Sequence, residues 1–359
     1  MRKNVIKAAS AALLLTSVLA FNCSCSKEGT PQLVYTVDFY LGVNPDNAAC
    51  IYKNNELLYT LDSNSWISGL AVMSDGSIYA CGEITSPSDE SSSPAIWKDG
   101  KRLDTDWGNV TYCSLSNMVT VDNSWLCCGT LNDENGRYGV IVKDGKVVYR
   151  SGRDISFQAM DFGISGDWYV VGREGNELKL FRVAANSWEL KSTETVVTDE
   201  EGYSWDASCI HVGANDIAIG LDKRNNSTFV SVAYCWLNNG RGLSNIENSS
   251  SISDITFFGG YLVIGGCHEI VTSGDGYVNL DTSAIQWVNG MPSDFSYGCT
   301  GSSQVALLKN WNEVFLFQAV EHEGGIQLCN NGALFESVRF DKRPFLSCWD
   351  VVISESKEK

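Results

Sequence analysis

The strongest constraint on this chain is a short motif that recurs along it. Ala95 to Arg102 reads Ala-Ile-Trp-Lys-Asp-Gly-Lys-Arg, and Ile51-Tyr52-Lys53-Asn54-Asn55 and Ile141-Val142-Lys143-Asp144-Gly145-Lys146 are versions of it. Trp236-Leu237-Asn238-Asn239-Gly240, Trp287-Val288-Asn289-Gly290 and Leu328-Cys329-Asn330-Asn331-Gly332 are looser copies. In each, apolar residues run into Asp-Gly, Asn-Gly or Asn-Asn, and a second strand-like run follows. Asp-Gly and Asn-Gly tolerate the two positive φ angles of a type I′ turn, whose twist matches paired antiparallel strands. The motif is a β-hairpin, and it is repeated.

A second hairpin alternates with the first. Leu70 to Gly82 runs as apolar strand, Asp75-Gly76 turn, apolar strand and glycine. Met118 to Gly129, Met160 to Gly172, Ile210 to Gly220 and Ile255 to Gly266 repeat that plan, and Val305 to Phe317 is a diverged copy. Two hairpins make four strands per repeat, at a spacing of roughly 40–50 residues, the period of a β-propeller blade. Naming the strands a to d outward from the axis, six repeats run from Trp66 to about Ser337. Val34 to Leu61 lacks an a strand and Phe345 to Ile353 lacks partners, so the two chain ends should complete a seventh blade. The expected fold is all-β, a seven-bladed β-propeller over residues 33–354 with four antiparallel strands per blade, then a charged tail, 355–359. The phase of the strands resembles kelch-like propellers, a likeness that implies architecture and no particular activity. One hairpin departs from the pattern: between Phe181 and Leu190, Ala184-Ala185-Asn186-Ser187 stands where the tight turn should be.

Ahead of the repeats, Arg2, Lys3 and Lys7 accompany an apolar run, Ala8 to Phe21, that is shorter than the ~20 residues needed to span a bilayer. Asn22-Cys23-Ser24-Cys25-Ser26-Lys27-Glu28 follows. Residues 1–24 read as a cleaved signal peptide, with Cys25 (alternatively Cys23) as the lipidated residue and 25–32 as a polar tether. This start resembles outer-membrane lipoproteins of the Bacteroidetes type, a family of unknown role. The resemblance implies a palmitate-like acyl anchor and an outer-membrane location, at the cell surface or the periplasmic face.

The formal net charge is −17. Neutralising phosphates needs clustered Lys and Arg, so nucleic acid is excluded as a partner, and membrane contact is expected through the N-terminal lipid only. Strong like charge also favours a dispersed monomer. Of the 13 cysteines, Cys23 and Cys25 belong to the leader and most others fall inside predicted strands, with no Cys-x-x-Cys spacing. They are expected to be mostly reduced and buried, packing as small hydrophobes.

Trp97, Trp287 and Tyr52 share one repeat position and are expected to pack between blades, as are Trp125 and Trp168 on b strands. Trp66, Trp107 and Trp205 differ. They sit in polar text where strand d hands over to the next a strand, and Tyr297 and Phe345 lie in matching connections of later repeats. Two long b–c loops, Ile84 to Pro94 and His268 to Ser283, should share that face, which also carries His268 and His322. An aromatic-lined mouth suits a sugar ring or a protein surface. The same connections hold Asp62, Asp106, Asp154, Asp206, Asp294 and Asp341. Brought together they would suit Ca²⁺ or an acid/base pair, although Asp is also an ordinary turn residue. No zinc-hydrolase pair, nucleophile elbow, phosphate loop or dinucleotide fingerprint occurs, so no catalytic residue, metal or cofactor is assigned. The expected role is a non-catalytic, lipid-anchored envelope protein that binds a glycan or another protein at the face bearing the d–a and b–c loops. A polysaccharide hydrolase or lyase using the mouth carboxylates is one alternative. A scaffold subunit of a surface nutrient-uptake complex is the other.

Overall fold

The repeats fold as seven four-stranded antiparallel sheets arranged as a β-propeller. The computed structural model describes residues 33–357 apart from 46, 89–90, 108–109, 239–241, 275–276, 294–302, 312–314, 323–324, 332 and 341–344. Blades 1 to 6 follow the chain. Their inner strands are Ser65–Val72, Val110–Val121, Ile155–Phe162, Tyr203–Val212, Ser250–Phe258 and Ser303–Trp311. Blade 7 is built from both chain ends: Leu346–Lys357 is innermost, then Leu33–Val43, Cys50–Lys53 and Glu56–Thr60. The two terminal strands pair from Leu33↔Lys357 to Val43↔Leu346. That pairing closes the ring as the sequence predicts and leaves neither terminal strand with an open inner edge.

The repeated Asp or Asn does more than permit a turn. Asn54, Asp99, Asp144, Asn289 and Asn331 have φ values from 47 to 52°. The side-chain oxygen of each accepts the N–H of a b-strand residue, respectively Phe39, Ile78, Trp125, Leu262 and Leu316. The carbonyl of that same residue takes the turn residue's own N–H. Asn238 does the same with Ile217. The side chain thus satisfies a backbone donor that the end of strand c leaves without a carbonyl. In the aberrant hairpin of blade 3 this device is missing. Ala184 N–H donates to Glu189 O, Trp188 N–H donates to Ala184 O, and Trp188 itself takes φ 58°.

Apolar cores lie between blades. Ile67, Leu70, Ala80 and Trp97 of blade 1 pack with Ile51, Leu61 and Cys348 of blade 7. Trp205, Ile219 and Leu221 of blade 4 pack with Val171, Leu178 and Leu180 of blade 3. Each such Ile, Leu or Val side chain contributes about 1.5–3 kcal/mol on burial. Trp97 and Trp287 are fully buried, and their indole N–H groups donate to Asp62 and Glu247, each at 2.7 Å. Among the described residues Cys50, Cys81, Cys113, Cys127, Cys128, Cys209, Cys235 and Cys348 are free and buried, Cys267 is buried, and Cys329 is disulfide-bonded. Burial pushes the thiols of Cys128 and Cys235 up to about 12, so they pack as thiols and not as thiolates.

Side chains also clip every blade to the next. Asp350 accepts from Val72 N, Asn117 from Met160 N, Asp161 from Val212 N, Asp222 from Ile252 N, Asp254 from Leu308 N and Glu321 from Leu346 N, all within 2.7–3.3 Å. At the remaining junction, between blades 1 and 2, Ser68 Oγ donates to Leu115 O.

Candidate ligand-binding site at the channel mouth

The inner strands surround an axial channel, and what faces it is set by a recurring irregularity. Each inner strand loses register with its neighbour near the same level, around Ser68, Asn117, Gln158, Ser208, Ser253 and Ser347, and between Ser303 and Ala306 in blade 6. A bulge re-aims the side chains beyond it. Just before the bulges, and one residue further back in blade 2, sit the buried residues Leu346, Ile67, Leu115, Phe157, Ala207 and Ile252. Strand alternation turns the residues preceding them toward the channel mouth: Phe345, Trp66, Ser114, Ser156, Asp206 and Ser251.

This mouth has two halves. Phe345 of blade 7 and Trp66 of blade 1 are 45% and 41% exposed, and their rings meet at 5.1 Å. Tyr112 of blade 2, 48% exposed, extends the arc. Glu83, opposite Trp66 on the neighbouring strand, lies close enough to Tyr112 to raise its phenol, after burial itself. Burial also pushes the Glu83 carboxyl up. Across blades 2 and 3 a cavity of about 310 Å³ opens, lined by Tyr112, Ser114, Ser116, Arg137, Ser156 and Gln158. Beyond it Asp206 accepts from Gln158 Nε2 at 3.2 Å and lies 3.8 Å from the Arg173 guanidinium. An exposed aromatic arc therefore faces a hydroxyl-rich and charged one.

The other sequence candidates have different surroundings. Trp205 is 2% exposed and packs edge-on to Tyr234 at 4.8 Å. Trp107 is half-buried against the core between blades 1 and 2. Asp62 holds Trp97 from the handover loop, and Asp154 lies at φ 63° beside Arg153, largely in solvent. Asp106 is exposed on its connection. His268 sits over the junction of blades 4 and 5, 3.1 Å from Ser250 Oγ and 3.8 Å from Glu247. His322 pairs with Gly325 in the b–c hairpin of blade 6. Tyr297, Asp294 and Asp341 lie outside the described residues, as do Cys23, Cys25 and the whole of 1–32. Tyr112 and Glu83 carried no signal in the repeat pattern. Among the described residues, no three His, Cys, Asp or Glu side chains are grouped to hold a metal ion.

Deeper in, a cavity of about 400 Å³ is lined by Asp161, His211, Thr256 and Lys309, in four successive blades, with Asp350 of the next blade beside Lys309. Lys309 Nζ lies 3.0 Å from Asp350, and His211 Nδ1 lies 3.6 Å from Asp161. Asp350 and the other blades' charges hold the Lys309 ammonium above its ordinary value. Burial pushes Asp161 up, and Asp254 up to about 6. Each of these three acids gives one oxygen to the N–H of its own successor and the other to the next blade. Each carboxylate thus ties its own strand to the next blade through both oxygens.

No family model matches the chain, and no curated protein resembles it. Solved structures align with the chain at very low identity. A protein of unknown function from Bacteroides caccae aligns over 90% of this chain and 99% of its own, at 12% identity and TM-score 0.44. The β-propeller domain of the Trilobed protease from Pyrococcus furiosus, with an open velcro topology, aligns over 82% of this chain and 97% of its own, at 9% identity and TM-score 0.46. A prolyl endopeptidase matches 86% of this chain at 11% identity and TM-score 0.48, and the chain spans half of that protein's length.

Proposed function

We propose that this chain is a lipid-anchored envelope protein that binds a glycan at the d–a mouth of its propeller. The observation that carries this reading is the exposed pair Phe345 and Trp66, in ring contact, with exposed Tyr112 on the next blade. Exposed large aromatics are costly to leave in water, and their faces stack on the C–H surfaces of sugar rings. Ser114, Ser156, Arg137 and Asp206 across the mouth supply donors and acceptors for sugar hydroxyls. The anchor rests on the leader, with Cys25 or Cys23 as the acylated residue and the outer membrane as the destination.

A glycan array probed with wild type and with Trp66→Ala and Tyr112→Ala tests the reading. Binding that falls at least tenfold in both variants, with the circular dichroism spectrum unchanged, is the expected result. Binding indifferent to both substitutions would remove the mouth from consideration. The hydrolase alternative draws on one observation, the raised Glu83 carboxyl beside Trp66. Glycoside cleavage needs two carboxyls at a set separation, so turnover abolished by both Glu83→Gln and Asp206→Asn would favour it. Metabolic labelling with a radioactive fatty acid, lost in Cys25→Ser or in Cys23→Ser, reports the anchor and its position.

A further inference from the structure

The hairpin that breaks the repeat pattern forms one wall of a cavity on the opposite face of the ring. About 330 Å³ opens between blades 2 and 3, lined among others by Asp122, Lys143, Phe162, Trp168, Asn186 and Trp188. Trp188 adopts φ 58°, a left-handed conformation that disfavours bulky side chains by about 1–2 kcal/mol. The other blades place Asn or Asp at such turns, where the cost is small. In that conformation Trp188 stacks on Trp168 at 6.5 Å and 14°, and Trp168 in turn leans on Phe162 at 4.6 Å. Trp168 is 2% exposed, and its indole N–H has no hydrogen-bond partner. A buried donor left unmade costs about 1–3 kcal/mol. A strained turn and an unsatisfied N–H thus coincide on one cavity wall.

One cation on the cavity wall, Lys143, is left to meet an anion. Asp167, 1% exposed, is bonded by both Arg182 (2.7 Å) and Lys191 (2.5 Å). Burial pushes the Asp167 carboxyl up, but these two cations outweigh it and hold it below the usual carboxylate range. Lys143 has no ion-pair partner among the described residues. The lining itself is balanced, Lys143 and Lys191 against Asp122 and Asp167, and Arg182 behind Asp167 adds one further cation. We infer that this cavity is a second binding site, for a hexuronic acid residue. The carboxylate sits at Lys143, the ring face lies on Trp188, and the hydroxyls meet Asp122 and Asn186. A small outward turn of Trp188 brings a ligand oxygen to the Trp168 N–H. The site is separate from the mouth that carries the glycan proposal and does not depend on it.

Calorimetric titration of the full chain with glucuronate and galacturonate, and with glucose and galactose as neutral counterparts, tests the assignment. The expected result is saturable binding of at least one uronate below ~10 mM and none of its neutral counterpart. Lys143→Met should weaken it tenfold or more, Lys143→Arg should retain it, and Trp66→Ala, on the other face, should leave it unchanged. No saturable binding of either uronate overturns the inference, as does equal binding of the neutral sugars. Binding that is lost in Trp66→Ala but intact in Lys143→Met assigns the uronate to the mouth and overturns it too. Should Lys143→Met fail to fold, Trp188→Asn, which also relieves the turn, takes its place with the same expected loss.

Discussion

Replacing Asp254 by Asn isolates the electrostatic part of one blade junction. The carboxylate bridges Ile255 N and Leu308 N, joining blade 5 to blade 6, yet burial raises it from 3.8 to about 6. Its charged form is therefore disfavoured in the folded ring despite two good donors. A folded-state value above the unfolded one means the native protein holds the proton more tightly. The resulting stability is fully present below pH 3.8 and is lost as pH rises through about 6. The gap between the two values corresponds to about 3 kcal/mol before screening, and to roughly 2 once screening at a half-buried residue is allowed for. Asn keeps one acceptor and loses the other at every pH, a constant cost of about 1 kcal/mol. Urea unfolding at pH 4 and pH 8 should show wild type losing roughly 2 kcal/mol relative to Asp254→Asn between the two conditions. Asp161 is present in both proteins, so its own titration largely cancels. A wild-type-minus-variant difference that is the same at both pH values within ~0.5 kcal/mol refutes the argument, and so does the opposite sign.

Other substitutions probe the scaffold. Asp144→Ala puts a residue less tolerant of the left-handed region than Asp at φ 47° and strips the acceptor from Trp125 N, so it should cost about 1–3 kcal/mol by urea unfolding, whereas Asp144→Asn should be near neutral. Asp62→Ala strands the buried Trp97 N–H and should cost about 1–3 kcal/mol in the same assay, far more than an exposed loop acid normally would. Gly82→Ala would set a Cβ 1.9 Å from Trp66 O, so it should destabilise by at least ~2 kcal/mol and displace the mouth, read as lost glycan binding. Deleting Leu346–Lys357 uncovers the inner edge of Leu33–Val43, and size-exclusion chromatography should show oligomers or aggregate in place of a monomer.

The architecture was legible because its causes are local. Asp-Gly and Asn-Gly turns, alternating strands and a steady period each act over a few residues, and the unpaired strand at either end implied the shared blade. The mouth is a different matter. Trp66 and Trp205 look alike in the sequence, each a Trp in polar text ahead of an inner strand. The fold puts Trp66 one residue before the buried Ile67, facing the channel, and Trp205 one residue earlier in the same frame, level with Ser65 and turned into the gap between blades. Because strand side chains alternate every residue, a one-place offset moves an entire indole from solvent to core. The anomalous turn at Ala184–Ser187 was visible as a departure from pattern. That it stacks Trp188 on Trp168 beside Lys143 depends on the apposition of blades 2 and 3. Short-range turn chemistry thus settled the ring and the number of its blades. Which side chains meet at its openings was decided by register and by contacts between strands distant in the chain, because only closure of the ring brings them side by side.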